Sequence, residues 1–174
     1  QRVALGAGAN RGATGSSVGA PLYFSHPASF GHESGEHPER AARITAIERD
    51  EDVANLIRRN CDRFGVTNVE VLEGSAPECL VNLPQAPHRV CMEGGRSIKA
   101  ILKEVWQQLQ PQGRIVATAA TLEGLYQVSE SFAELQARNI EVVQSAVNRL
   151  EKRGMNQTFA AIDPIFVLSG EKLD

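Results

Sequence analysis

Four short stretches between residues 44 and 123 combine a carboxylate, a small-residue turn or a cation with the end of an apolar run. Glu48 closes Ile44–Ile47, and Gly74-Ser75-Ala76-Pro77 follows Val69–Leu72. Glu93-Gly94-Gly95-Arg96-Ser97 follows Arg89–Met92, and Thr121-Leu122-Glu123 follows Arg114–Ala119. In a parallel sheet such strand ends line up along one edge, where ligands bind. A carboxylate at the first end can accept both hydroxyl hydrogens of a ribose. Gly74 permits close backbone approach, and Ser75 and Ala76 present a small polar surface to an adenine edge. Gly94, Gly95 and Arg96 open a helix whose free N–H groups favour an anionic group. Glu123 faces the same cleft or sits in the first turn of its helix. Each piece also has a plain structural reading: a surface glutamate capping a helix, a turn before a helix, a glycine-rich connection with a solvated arginine. Together at successive strand ends they point to a nucleoside-bearing cofactor.

The elements that must position them alternate strand and helix from Ile44 onward. Ile44–Glu48 reads as a strand. Asp50–Phe64 reads as a helix, with Val53, Leu56, Ile57, Asn60, Cys61 and Phe64 at spacings of three and four. Asp50, Glu51 and Asp52 sit in its first turn, where acids favour the positive end of the dipole, and Gly65 ends it. Val69–Leu72 is the next strand and Pro77–Leu83 a short helix. Arg89–Met92 is a strand, and Ser97–Leu109 a helix with Ile98, Ile101, Leu102, Val105 and Leu109 on one face. After the turn Pro111-Gln112-Gly113 come a strand, Arg114–Ala119, and a helix, Leu122–Ala137, using Leu125, Val128, Phe132 and Leu135. Ile140–Val147 and Gln157–Leu168 read as an antiparallel hairpin added to a parallel sheet. The fold class is therefore α/β, a Rossmann-like sheet with helices on both faces and a C-terminal antiparallel hairpin.

Residues 1 to 42 lack this rhythm and form an atypical N-terminal segment, inserted or chimeric, ahead of a domain over 43 to 174. Val3–Leu5 suits a short strand leading into Gly6-Ala7-Gly8, a candidate cofactor turn. No acidic residue precedes it, Ala4 standing in that place, and Glu48 lies about twice as far beyond Gly8 as the roughly 20 residues usual in such a unit. His26, His32 and His37 fit neither a helical His-x-x-x-His nor a Cys/His finger, so no metal site is expected.

With 174 residues, 42% apolar, and a net charge of -3, the chain suits one ordinary domain with a sizeable core. Lacking a basic excess, it is not expected to bind nucleic acid. No apolar run approaches the roughly 18 residues of a membrane helix, and no continuous apolar segment suggests a signal peptide. Cys61, Cys79 and Cys91 are odd in number and widely spaced, as reduced thiols of a cytoplasmic protein would be. The first residue is Gln1 rather than Met, which implies residues upstream or processing.

From about Arg43 to Leu168 the chain resembles the decarboxylating precorrin-6Y methyltransferases of cobalamin biosynthesis, in particular their C(15)-methylating, decarboxylating domain. The resemblance rests on Arg-Ile-Thr-Ala-Ile-Glu-Arg-Asp-Glu (43 to 51), Arg-Asn-Cys-Asp-Arg-Phe-Gly-Val-Thr-Asn-Val (59 to 69), Glu-Gly-Ser-Ala-Pro-Glu-Cys-Leu (73 to 80) and the run 109 to 123. It implies a class I methyltransferase using S-adenosylmethionine to methylate a ring carbon of a tetrapyrrole while an acetate side chain loses CO2. Glu48 would take the ribose, Gly74, Ser75 and Ala76 the adenine, and Gly94, Gly95, Arg96 and Glu123 the tetrapyrrole side. Association into oligomers, or fusion to a second methyltransferase domain, is also implied. Four departures stand out. Ser75 replaces a usual Asp, and Glu93 and Arg96 interrupt a loop that is normally Gly-Gly-Ser-Gly-Gly. His88 stands where an aspartate is common. The upstream strand with an acidic end and a Gly-x-Gly-x-Gly turn, which cradles the methionine end of the cofactor, has no counterpart.

In that place Tyr23 to Glu48 resembles the opening of the histone deacetylase and acetylpolyamine amidohydrolase family, through Tyr-Phe-Ser-His-Pro-Ala-Ser-Phe-Gly-His-Glu-Ser-Gly-Glu-His-Pro-Glu-Arg and the following Ala-Arg-Ile-Thr-Ala-Ile-Glu. The zinc ligands and catalytic histidines of that family have no counterpart. The alternatives to an active methyltransferase are a relic that keeps the sheet without the cofactor and, last, a deacetylase-like hydrolase fragment.

Overall fold

The computed structural model describes residues 22–27, 41–95 and 97–173. Seven strands form one sheet: β1 (Leu22–Pro27), β2 (Ala41–Glu48), β3 (Val69–Glu73), β4 (Arg89–Glu93), β5 (Arg114–Ala119), β6 (Arg138–Arg153) and β7 (Asn156–Glu171). Among the described residues there are three α-helices, α1 (Glu51–Phe64), α2 (Ile98–Gln108) and α3 (Leu122–Glu134). The strand order is β3-β2-β1-β4-β5-β7-β6. β2 and β3 are parallel, as are β4 and β5, whereas β7 runs antiparallel to both β5 and β6. The crossovers β2–α1–β3 and β4–α2–β5 step in opposite directions along the sheet, so right-handed connections put α1 on one face and α2 on the other.

Local chemistry explains the helices. Asp50 is the N-cap of α1, its Oδ1 accepting from the N–H groups of Asp52 (3.0 Å) and Val53 (3.2 Å). At the other end Gly65 adopts φ 65°, and the N–H of Val66 donates to the carbonyl of Cys61 at 2.8 Å. That is the left-handed cap in which an added Cβ is strained. The residues expected as a short helix at Pro77–Leu83 form a 3-10 turn, Glu78–Asn82. Alternation in β5 buries Ile115, Ala117 and Ala119 on one face, where they join Val90, Met92, Ile98, Leu102, Val128 and Phe132 in a single core. Lys172, just past β7, donates from Nζ to the carbonyls of Trp106 (2.9 Å) and Leu109 (2.8 Å). It thereby caps the negative end of α2.

Three observations correct the sequence reading. First, β6 and β7 run to Arg153 and start at Asn156, longer than the hairpin expected at 140–147 and 157–168. Only Phe166–Glu171 pairs with β5, so the rest is a two-stranded arm carrying exposed Val147, Leu150 and Phe159. Second, the helix expected to reach Ala137 stops at Glu134, since Gln136 turns to φ 55°. Third, a strand lies in the segment where no periodicity was legible. β1 is an interior strand of the sheet, third in the order, and is antiparallel to β2 and to β4. Parallel neighbours need a crossover, usually a helix. Val3–Leu5 lies outside the described residues.

Two substitutions test these caps. Gly65→Ala meets open space at its Cβ, so its cost is the left-handed backbone alone, about 1 kcal/mol in urea unfolding. Lys172→Met removes two charge-assisted hydrogen bonds and is expected to cost about 2 kcal/mol. An unchanged midpoint in either variant contradicts the assigned cap.

Candidate cofactor and substrate edge

The parallel pairs bring the ends of β2, β3, β4 and β5 to one edge of the sheet. Register aligns Glu48 with Glu73 and Glu93 with Thr118. Beyond the strands, the N–H of Gly74 donates to the carbonyl of Glu48 (2.9 Å) and that of Gly94 to Thr118 (2.7 Å). The carboxylate and the two glycine turns expected from sequence are therefore neighbours along this edge.

Glu48 is not the exposed helix-capping glutamate that was its alternative. It is 3% exposed, and Asp50 takes the cap. Its Oε1 accepts from the N–H of Asp50 at 2.9 Å, while Oε2 is buried with no hydrogen-bond partner among the described residues. A buried carboxylate oxygen left without a donor is costly. A ligand hydroxyl at this edge would satisfy it, which is the chemistry of a ribose diol.

Gly74 has φ 146° and a Cβ there would lie 2.0 Å from the Sγ of Cys79. Only glycine fits this turn. Ser75 is exposed and Ala76 half-buried beside it. At Gly94 a Cβ would lie 2.7 Å from the backbone oxygen of Thr118, so the close crossing of β4 and β5 requires a bare backbone. Gly95 is exposed with open space around it. Glu123 is exposed in the first turn of α3, whose N-cap Thr121 accepts from the N–H of Gly124 at 3.1 Å. The residues present fit the adenosine part of a nucleoside cofactor.

Its other end meets the inverted strand. Leu22 pairs with Ile47 at this edge, and Pro27 pairs with Ala41 at the opposite one. A turn following β1 would thus begin on the far side of the sheet, and it is the chain preceding Leu22 that enters here. Gly6, Gly8, Arg96, His32 and His37 lie outside the described residues. His88 is at the start of β4, away from this edge. Partial burial and then the adjacent Arg89 lower its pKa. Among the described residues no group of three metal-ligating side chains occurs.

Sequence reasoning missed one part of the edge. A cleft of about 510 Å³ opens between α2 and α3, lined by Lys99, Leu122, Glu123, Tyr126 and Gln127. Leu122 and Tyr126 lie off the apolar stripe of α3, and that displacement was the available signal. Lys99 pairs with Glu130, which raises the lysine pKa chiefly through their hydrogen bond and keeps the ammonium charged.

Comparison with known proteins follows this geometry closely. The family profile of the precorrin methyltransferase domain matches residues 36–172. The probable cobalt-precorrin-6B C(15)-methyltransferase (decarboxylating) of Saccharolobus solfataricus is 31% identical over 134 residues, 76% of this chain and 67% of that protein. The cobalt-precorrin-6B C(15)-methyltransferase (decarboxylating) of Salmonella typhimurium is 30% identical over 131 residues, 75% and 67% of the two chains. The chain thus spans about two thirds of the length of these curated relatives. The crystal structure of precorrin-6Y C5,15-methyltransferase from Geobacter metallireducens superposes with a TM-score of 0.67 at 30% identity, over 75% of this chain and 67% of that one. A SAM-dependent O-methyltransferase from Thermotoga maritima, at 15% identity and a TM-score of 0.62 over 76% of this chain and 50% of that one, shares the fold alone. The sheet edge, the fold and these matches agree: the chain belongs to the precorrin methyltransferase domain family, built on the class I methyltransferase fold.

Proposed function

We propose that the chain is an S-adenosylmethionine-dependent C-methyltransferase that acts on a precorrin ring carbon and accompanies loss of CO2 from an acetate side chain. The observation that carries this reading is the buried Oε2 of Glu48, without a hydrogen-bond partner among the described residues, beside the Gly74 turn in a chain of this family. Glu48 accepts from the ribose hydroxyls. Gly74, Ser75 and Ala76 form the adenine side. Ser75 offers a neutral hydroxyl where the family has a carboxylate, so it contacts the adenine amino group more weakly. S-adenosylmethionine supplies an electrophilic methyl group when bound.

Gly94 and Gly95 keep the middle of the edge free of side chains, where the ring carbon meets that methyl group. Arg96 and Glu123 flank the tetrapyrrole side, Arg96 as a partner for carboxylates. The protein contributes alignment of the two reactants, a proximity effect that lowers the barrier. Residues preceding Leu22, among them Gly6 and Gly8, are assigned to the methionine end. The polarity of β1 supports this, because the chain enters that strand at the cofactor edge.

Cytoplasmic residence belongs to the same reading and is supported by three free cysteines, Cys61, Cys79 and Cys91. No described helix is long and apolar enough to cross a membrane. Self-association, or contact with a second methyltransferase domain, is supported by the exposed apolar side chains of the β6–β7 arm.

Calorimetry with S-adenosylhomocysteine tests the proposal. Glu48→Ala is expected to weaken binding about 10- to 100-fold, the size of a lost charged hydrogen-bond acceptor. An intact protein giving no heat at millimolar ligand overturns the enzyme reading in favour of a relic.

A further inference from the structure

We propose that the cleft between α2 and α3 seats the tetrapyrrole, with Leu122 and Tyr126 as a platform for the ring and Lys99 as the partner of a ring carboxylate. This rests on the precorrin reading above and extends it to residues outside the glycine edge. The position follows from the topology. α2 begins shortly after the end of β4, and α3 shortly after the end of β5, so the cleft lies beside the helix starts that follow these two strand ends. The cleft has a volume of about 510 Å³ and opens widely to solvent.

The lining suits a flat, apolar-faced, acid-rimmed ligand. Leu122 is 76% and Tyr126 64% exposed, although α3 already buries Val128 and Phe132 in the core. Four residues apart on a helix, the two stack on one face and form a continuous apolar surface. A tyrosine ring offers its π-face to a conjugated macrocycle.

The phenol and the cation are held by one carboxylate. Tyr126 donates from its hydroxyl to Oε1 of Glu130 at 3.2 Å, and Lys99 pairs with Oε2 of the same residue. An ammonium has three donors, so this contact leaves Lys99 able to meet a ligand carboxylate. Glu123 repels acids from the α3 wall, so the acidic rim of the ring faces α2. Arg96, which precedes that helix, adds charge of the same sign in the sequence.

Titration with uroporphyrin, a soluble octacarboxylate tetrapyrrole, tests this, read by its visible absorption band. Each variant is checked by circular dichroism and by S-adenosylhomocysteine calorimetry. The parent is expected to bind. Leu122→Ser with Tyr126→Ser should weaken the porphyrin at least about 10-fold, and Lys99→Gln about threefold at low salt with the difference vanishing at high salt. Cofactor heats should stay unchanged in both, since neither variant touches Glu48. Porphyrin affinity unaltered in the double variant places the ring elsewhere and overturns the proposal while leaving the methyltransferase reading intact. A parent that binds S-adenosylhomocysteine but not uroporphyrin does the same. Binding of neither ligand by the parent removes both readings. A double variant that dissociates a dimeric parent identifies a second copy as the occupant and also overturns the proposal.

Discussion

Among the described residues, the sheet is held as one piece by six residues. β1 pairs with β2 on one side and with β4 on the other, and no other strand joins β3–β2 to β4–β5–β7–β6. Glu48, the carboxylate proposed for the ribose, belongs to the first group, and the glycine turn at Gly94 with the α2–α3 cleft belongs to the second. Their common edge therefore exists only because β1 lies between them. Its direction matters as much as its presence. An antiparallel strand still completes the ladder and aligns the flanking ends, but it carries its own following turn to the wrong side.

That separation divides the candidate site physically. The adenosine half is made by β2, β3 and the turns behind them, where local sequence fixes the chemistry. Glu48 is drawn under the surface, with one carboxylate oxygen satisfied by Asp50 and the other without a partner among the described residues. The substrate half is made by helices that start at the next two strand ends. Lys99, Tyr126 and Glu130 form a small network there that uses no core residue.

Much of this was legible in the sequence because it rests on short-range chemistry. Asp50 and Gly65 mark the two ends of α1 within a residue, since capping is decided by the backbone within one turn. The alternation of β5 and the stripe of α2 follow from their periodicity. What remained hidden depends on distant partners. β1 has no alternation that distinguishes it from a loop, and only its neighbours make it a strand. The burial of Glu48 is likewise a tertiary fact, as the residue type alone favours the surface. Leu122 and Tyr126 were passed over because the core stripe of α3 was complete without them. Lys99 was passed over because a lysine on the polar face of a helix is ordinary.

The central claim is that the β2–β3 edge anchors the cofactor through its adenosine, independently of the amino-acid end. Binding of 5′-methylthioadenosine, which keeps the adenosine and lacks the amino acid, measures it most directly. The account expects this nucleoside to bind within about 10-fold of S-adenosylhomocysteine, a difference of about 1.4 kcal/mol, and to lose affinity in Glu48→Ala. Tight binding of S-adenosylhomocysteine with no measurable binding of 5′-methylthioadenosine would contradict it.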